Sequence, residues 1–165
     1  MPRASGMQSV LFVCTGNQFR SPAAAACFQR LLTNAGCTDW LVESAGTWVL
    51  TDQVPPEAAR RAAAKLGLNI GDHRARAIDG VMLQEFDLIV VMERGQKEAI
   101  GLEFPLAAPR VHLLTEVSGN PPGDVRDPMS PPFEIDKVMQ EVCSLVQQGF
   151  ERIKNLATDM PEHST

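Results

Sequence analysis

The sequence predicts an α/β fold in which a central sheet of four parallel strands lies between two layers of helices. Short apolar runs, typical of buried strands, alternate along the chain with segments whose apolar residues recur at helical spacing. The run from Phe86 to Met92 is almost entirely apolar, as expected for a parallel strand that is covered on both faces. Strands joined by right-handed helical crossovers therefore predict a three-layer α/β/α sandwich.

Length and composition predict a single globular domain over residues 1–165, with residues 1–7 as a flexible extension. Hydrophobic residues make up 44% and charged residues 21%, which is ordinary for a globular protein, and the net charge of -5 argues against nucleic acid or an anionic membrane as a partner. We see neither a membrane-length apolar run nor a signal-peptide core, and the four cysteines lack metal-ligand spacing. We therefore expect a cytoplasmic protein with reduced thiols, as a monomer or weak dimer.

The first half of the chain contains two predicted strands, each followed by a helix. In order, we expect a strand at Val10–Val13, a helix from Arg20 that ends at Gly36, a strand at Leu41–Ser44 followed by the turn Ala45-Gly46-Thr47, and a helix between Pro56 and Gly67. Residues Gly71–Ile78 show no periodicity and are expected to form a loop.

The second half continues the alternation and ends in a long helix. We expect a strand at Phe86–Met92, a short helix from Arg94 to about Leu102, a strand at Arg110–Leu114 and a loop at Ser118–Pro132. The final helix carries a clean apolar stripe: Ile135, Val138, Met139, Val142, Leu145, Val146, Phe150, Ile153 and Leu156.

The segment between the first strand and the first helix carries the chemistry. It reads Cys14-Thr15-Gly16-Asn17-Gln18-Phe19-Arg20-Ser21, and Pro22 follows in the first turn of the helix. Backbone N–H groups at a helix N-terminus attract oxyanions, and the planar guanidinium of Arg20 suits two phosphate oxygens at once. The same positive field favours the thiolate of Cys14, the form that acts as a nucleophile. Asn17 tolerates the left-handed backbone that a closing loop needs.

A thiolate that attacks a phosphate ester needs an acid to protonate the leaving oxygen. The long loop supplies two carboxylates, Asp124 and Asp127, and both lie near the carboxyl ends of the strands, where ligands bind in such sheets. Residue chemistry alone does not separate them, although Pro128 stiffens the backbone after Asp127.

The sequence resembles the low-molecular-weight protein tyrosine phosphatases, from about Gln8 to about Ala157. The resemblance rests on the Cys14–Pro22 segment after the first strand, on Glu43-Ser44-Ala45-Gly46-Thr47, on His73-Arg74-Ala75-Arg76 and on Asp127-Pro128. It implies a phosphomonoester hydrolase that forms a phosphocysteine on phosphotyrosine proteins or other aryl phosphates and needs no metal ion or other cofactor.

The resemblance also implies roles for individual residues. Cys14 is the nucleophile, Arg20 binds the phosphoryl oxygens and Asp127 is the general acid. Ser21 assists the Cys14 sulfur as a leaving group, and Ser44 and His73 support the loop through Asn17. The residues expected to contact the substrate are Thr15, Gly16, Asn17, Gln18, Phe19, Ser21, Trp48 and Met129.

Two positions depart from the family pattern. Phe19 stands where many members have a second cysteine, so a protective disulfide within the loop is not available. Met129 replaces the usual tyrosine after the Asp-Pro pair, which leaves Trp48 as the best candidate for an aromatic wall. Phe19 is expected to add apolar surface near the mouth of the pocket.

Three alternatives stay open. Phosphoarginine hydrolysis depends on loop side chains such as Gln18. An arsenate reductase would use a relay of further cysteines, but Cys27 and Cys143 fall beside apolar helix stripes, which predicts core packing, and Glu93-Arg94-Gly95 holds no cysteine. A binding module without turnover would need only the phosphate cradle, and not both Cys14 and an acid.

Overall fold

The computed structural model of the protein describes residues 6–159 and contains a four-stranded parallel sheet. The strands are β1 (Gln8–Cys14), β2 (Trp40–Gly46), β3 (Leu88–Val91) and β4 (Val111–Leu113). Their order is β2-β1-β3-β4, and all three pairings are parallel, which confirms the predicted sheet. The predicted N-terminal extension falls mainly on residues 1–5, which lie outside the described residues.

Helices cover both faces of this sheet and confirm the three-layer sandwich. They are α1 (Arg20–Asn34), α2 (Glu57–Lys65), α3 (Gly80–Glu85), α4 (Arg94–Glu103), α5 (Leu114–Val117) and α6 (Ile135–Asp159). One core, against α1, α2, α5 and α6, takes Val10 and Phe12 of β1. The other core, against α3 and α4, takes Leu11 and Val13. Because successive strand side chains point to opposite faces and both faces are covered, β1 is apolar from Val10 to Cys14.

Helix α6 is placed by the apolar stripe that the sequence predicts. Every stripe residue is either fully buried or packed against the core next to α1 and α2. Phe28 of α1 lies at the centre of this interface, with ring centroids 5.8 Å from Phe12 and 5.5 Å from Phe150. Tilted aromatic contacts of this kind add to the stabilisation that burial alone provides.

The structure differs from the prediction in its shortest elements. Helices α3 and α5 were not predicted, since six and four residues are too few for a periodic pattern to show. Strand β2 continues through Ala45 and Gly46, where a turn was expected, because these residues pair with Val13 and Cys14 of β1. Strand β3 covers Leu88–Val91 and is shorter than the predicted strand Phe86–Met92.

Within residues 6–159, none of the helices combines the length and the apolar character that crossing a bilayer demands.

Candidate active site

The Cys14–Ser21 segment forms a loop at the carboxyl edge of the sheet. Cys14 ends β1, and α1 begins at Arg20, so the loop joins the central strand directly to a fifteen-residue helix. The N-cap residue Phe19 makes no side-chain capping bond, and Ser21 lies inside the first turn rather than at the cap. The N–H groups of the first turn are thus free of a side-chain cap, as an anion-binding helix start requires.

A cleft of about 260 Å³ opens above this loop. Residues predicted for catalysis or substrate contact form most of its lining: Cys14, Thr15, Gly16, Gln18, Phe19, Arg20, Trp48, Asp127 and Met129. Leu50, Gln53 and Pro128 complete the lining and were not predicted. Asn17 and Ser21 are absent from this lining and are fully buried beneath the loop, so their contact with a substrate stays a prediction.

The sulfur of Cys14, at the floor of the cleft, takes part in two hydrogen bonds. The Ser21 Oγ atom is 2.9 Å from Cys14 Sγ, and the backbone N–H of Asn17 donates to the same sulfur at 3.3 Å. Because Asn17 Nδ2 donates to Ser21 Oγ at 2.8 Å, the hydroxyl proton of Ser21 can turn towards the sulfur. Both groups are therefore placed to stabilise a thiolate.

Asn17 holds the loop in shape from below. It has the left-handed backbone expected of it, with φ of 58°, and it is fully buried. Its Nδ2 donates to Ser44 Oγ at 3.0 Å, and its Oδ1 accepts from the backbone N–H of Arg76 at 3.0 Å. His73 Nε2 lies 2.8 Å from the Asn17 carbonyl oxygen and must donate to it. The structure thus brings Ser44 and His73 together against Asn17.

His73 is suited to that bond as a neutral imidazole. Burial lowers the pKa of His73, and the nearby guanidinium groups of Arg76 and Arg74 lower it further, although the bond to Asn17 opposes them. A neutral ring with its proton on Nε2 still donates to the carbonyl oxygen. This side chain is not in the lining of the cleft, so the geometry gives it no direct access to a substrate there.

Arg20 is held by residues that the sequence did not single out. Its side chain is 3% exposed, and Nη1 lies 2.9 Å from Glu93 Oε2 and donates to the Val125 carbonyl at 2.7 Å. Buried Gln96 donates through Nε2 to Glu93 Oε2 and to Thr15 Oγ1, both at 3.0 Å. Glu93 follows β3 at the same edge of the sheet as Cys14, and this position in the sequence could have indicated that Glu93 belongs to the site.

The long loop is fixed at Val125, which places Asp127 over the cleft. The Val125 N–H donates to the Met92 carbonyl at 2.8 Å, and the Val125 side chain is fully buried. Asp127 lies two residues on, half-buried in the cleft wall, where its Oδ1 accepts from the N–H of Met129 at 2.9 Å. Asp124 instead binds the N–H of Arg94 at 2.8 Å, a bond that lowers the pKa of its carboxyl. Of these two carboxylates, Asp127 lines the cleft and Asp124 does not.

Trp48 is brought to the cleft by a tight contact between β2 and the loop. The Trp48 N–H donates to the Thr15 carbonyl at 3.0 Å, and the Thr47 N–H donates to the Cys14 carbonyl at 3.0 Å. This approach requires glycine at position 46, because a Cβ there would lie 2.4 Å from the Thr15 oxygen.

The mouth of the cleft is apolar and open. Trp48, Leu50 and Met129 are 75%, 60% and 56% exposed. Phe19, expected near the mouth, is only 7% exposed and packs mainly into the core, so it adds little to the rim. Gln18 Nε2 donates to Gln53 Oε1 at one side of the opening. A large exposed apolar surface beside a catalytic cleft is typical of a ligand-binding site.

This arrangement defines a class of enzyme. A thiol with two hydrogen-bond partners, a buried arginine and an uncapped helix start line one cleft, and a carboxylate from a separate loop lines the same cleft. These are the parts of a cysteine-dependent phosphatase.

Comparisons with known proteins agree with this class of enzyme. The model of the family described as low molecular weight phosphotyrosine protein phosphatase matches residues 9–162. The chain therefore belongs to this family. It is 29% identical over 145 residues to the probable low molecular weight protein-tyrosine-phosphatase EpsP of Ralstonia nicotianae, covering 88% of this chain and 92% of that protein.

Solved structures share the fold. The low molecular weight protein tyrosine phosphatase of T. tengcongensis matches with a TM-score of 0.80 and 32% identity, covering 88% of this chain and 99% of that one. A mutant of the arginine phosphatase YwlE, whose active-site serine is phosphorylated, matches with a TM-score of 0.82 and 25% identity, covering 89% and 96%.

Proposed function

We propose that the protein is a protein tyrosine phosphatase that hydrolyses aryl phosphates through a phosphocysteine intermediate. The observation that carries the proposal is that Cys14, Arg20 and Asp127 line one cleft although they come from three parts of the chain. A binding module would need the cradle alone, whereas a thiol nucleophile and a carboxylic acid in the same cleft are what phosphoryl transfer requires.

The first step transfers the phosphoryl group to the enzyme. The Cys14 thiolate attacks phosphorus, so the S–P bond forms while the bond to the leaving oxygen breaks. Asp127 gives its proton to that oxygen. Arg20 and the N–H groups at the start of α1 stabilise the charge on the equatorial oxygens, which leaves no required role for a metal ion.

The second step releases phosphate. Asp127, now ionised, takes a proton from a water molecule as the water attacks phosphorus and the S–P bond breaks. The departing Cys14 thiolate is received by the Ser21 hydroxyl at 2.9 Å and by the Asn17 N–H at 3.3 Å. Ser21 thus acts on the sulfur and not on the substrate.

The proposed substrate is a phosphotyrosine side chain of a protein. The apolar rim of Trp48, Leu50 and Met129 suits an aromatic ring, which gains from burial against such a surface. The names of the relatives support the same substrate class. We further propose that the enzyme is cytoplasmic and a monomer or weak dimer, and the need for a reduced nucleophile supports that compartment.

The test is hydrolysis of an aryl phosphate with excess chelator, comparing the unmodified protein with Cys14→Ser and Asp127→Asn. We expect turnover without added metal, none with Cys14→Ser, and a kcat lower by about 10²–10⁴ with Asp127→Asn. Asp124→Asn is the matched control, because that carboxylate binds the start of α4 instead, and it should retain activity. No turnover by the folded, reduced protein would favour a phosphate-binding module.

A second candidate substrate is phosphoarginine. A phosphoguanidinium presents N–H donors, and the carboxamides of Gln18 and Gln53 at the opening offer acceptors that an aromatic ring does not use. The similarity to an arginine phosphatase supports this candidate. We would compare kcat/KM for phosphotyrosine and phosphoarginine peptides in the unmodified protein and in Gln18→Leu. A phosphoarginine enzyme should lose preference in the variant, and a tyrosine phosphatase should not.

The cleft is less well suited to the reaction of an arsenate reductase. Cys14 is the only cysteine among the described residues that line the cleft, so a thiol relay has no second member there.

A further inference from the structure

Two cysteines outside the active site meet in the core between α1 and α6. Cys27 is fully buried and Cys143 is 5% exposed, and neither forms a disulfide. Cys27 Sγ lies 3.7 Å from the Cys143 carbonyl oxygen, although 116 positions separate the residues. Both residues were predicted to be core, which is confirmed, but their contact was not predicted.

The surroundings make the two thiols unequal. Interaction with the neighbouring Cys143 side chain lowers the pKa of Cys27, and the Arg30 guanidinium lowers it further, although burial opposes both. Interaction with Cys27 and burial raise the pKa of Cys143. Cys27 is therefore the better nucleophile, and Cys143 remains a protonated neighbour that can react with an oxidised sulfur.

We propose that Cys27 and Cys143 form a reversible disulfide in response to hydrogen peroxide, at a site separate from the catalytic cysteine. The Cys27 thiolate attacks one oxygen of peroxide, the O–O bond breaks, and a sulfenic acid and hydroxide form, the latter taking a proton to become water. The Cys143 sulfur then attacks the sulfenic sulfur, and its proton leaves with the hydroxyl group as a second water. Two thiols lose two electrons in total, and peroxide gains them.

The catalytic loop, in contrast to this pair, holds no second thiol. Phe19 occupies the loop, and no cysteine apart from Cys14 lines the cleft within residues 6–159. Peroxide is scarcely larger than water, and local opening of packed helices admits solutes of that size. The disulfide would tether α1 to α6 and close a loop that spans most of the chain, which constrains the unfolded state.

Mass spectrometry of the Cys14→Ser variant tests the proposal without interference from oxidation of the nucleophile. The folded, reduced variant is treated with peroxide, alkylated and digested with trypsin without reduction. We expect the peptide of residues 21–30, which carries Cys27, joined to that of residues 138–152, which carries Cys143, and separated again by dithiothreitol. Cys37→Ala in the same background should keep the link, while Cys27→Ala and Cys143→Ala should abolish it.

Urea unfolding gives a second readout that does not depend on the single cysteine variants folding well. Oxidised Cys14→Ser should unfold at a higher urea midpoint than its reduced form, and the difference should vanish after dithiothreitol. Absence of the 21–30 to 138–152 link, a link from Cys27 to Cys37 instead, or over-oxidation of Cys27 without a link would overturn the proposal. An unchanged urea midpoint in a fully linked sample would overturn the tether.

Discussion

Asn17→Ala should both destabilise the protein and disable the loop. The substitution removes side-chain hydrogen bonds to Ser21 Oγ at 2.8 Å, to Ser44 Oγ at 3.0 Å and from the Arg76 N–H at 3.0 Å. At about 1 kcal/mol each, these bonds contribute about 3 kcal/mol to the free energy of unfolding. Alanine at φ of 58° adds a left-handed backbone cost, which is about 1 kcal/mol.

The assay pairs urea unfolding with hydrolysis of an aryl phosphate. We expect the free energy of unfolding to fall by about 4 kcal/mol in Asn17→Ala and kcat/KM to fall by about 10², because the loop no longer holds the sulfur and the phosphate in line. The matched control is Asp52→Ala, since Asp52 is exposed and has φ of 67°, so the change isolates the backbone cost.

A glycine variant separates the loss of the buried hydrogen bonds from the cost of the left-handed backbone. Asn17→Gly removes the same three bonds without the left-handed penalty, so it should be less destabilised than Asn17→Ala yet equally impaired in hydrolysis. If Asn17→Ala loses no more stability than Asp52→Ala, the buried bonds are not what holds the loop, and the reasoning fails.

Three further predictions concern the surroundings of the loop. Glu93→Gln should lower kcat/KM by about tenfold while changing the free energy of unfolding by only about 1 kcal/mol, because Arg20 keeps its bond to the Val125 carbonyl. Steady-state kinetics and urea unfolding measure the two effects, and a large loss of stability with unchanged kcat/KM would contradict this prediction. Burial lowers the pKa of His73, so the unfolded chain binds a proton first and the free energy of unfolding should fall as pH drops below about 6.5. His73→Gln should flatten that slope in a pH series of urea titrations, and an unchanged slope would contradict the argument. Leu50→Ser should raise KM for a phosphotyrosine peptide by about fivefold through lost apolar contact, whereas Leu102→Ser, at an exposed site outside the cleft lining, should leave KM unchanged.

Much of the fold followed from local patterns in the chain. Strand β1 is apolar from Val10 to Cys14 because both of its faces are covered there, and the apolar stripe along α6 continues over the whole helix. The extent of β2 could not be predicted, because Ala45 and Gly46 become strand only by pairing with Val13 and Cys14. Helices α3 and α5 could not be predicted either, because each buries only one or two side chains and so shows no apolar repeat in the sequence.

The sequence by itself determined the catalytic loop, because Cys14, Arg20 and Ser21 lie within eight consecutive residues and their spacing is independent of the rest of the fold. Only the tertiary structure decided what surrounds it. The anchoring of Val125 places Asp127, and not Asp124, over the cleft. Helix packing likewise brings Cys27 to Cys143. Such contacts depend on strand register and on how the helices pack, and neither is expressed in the spacing of residues along the chain.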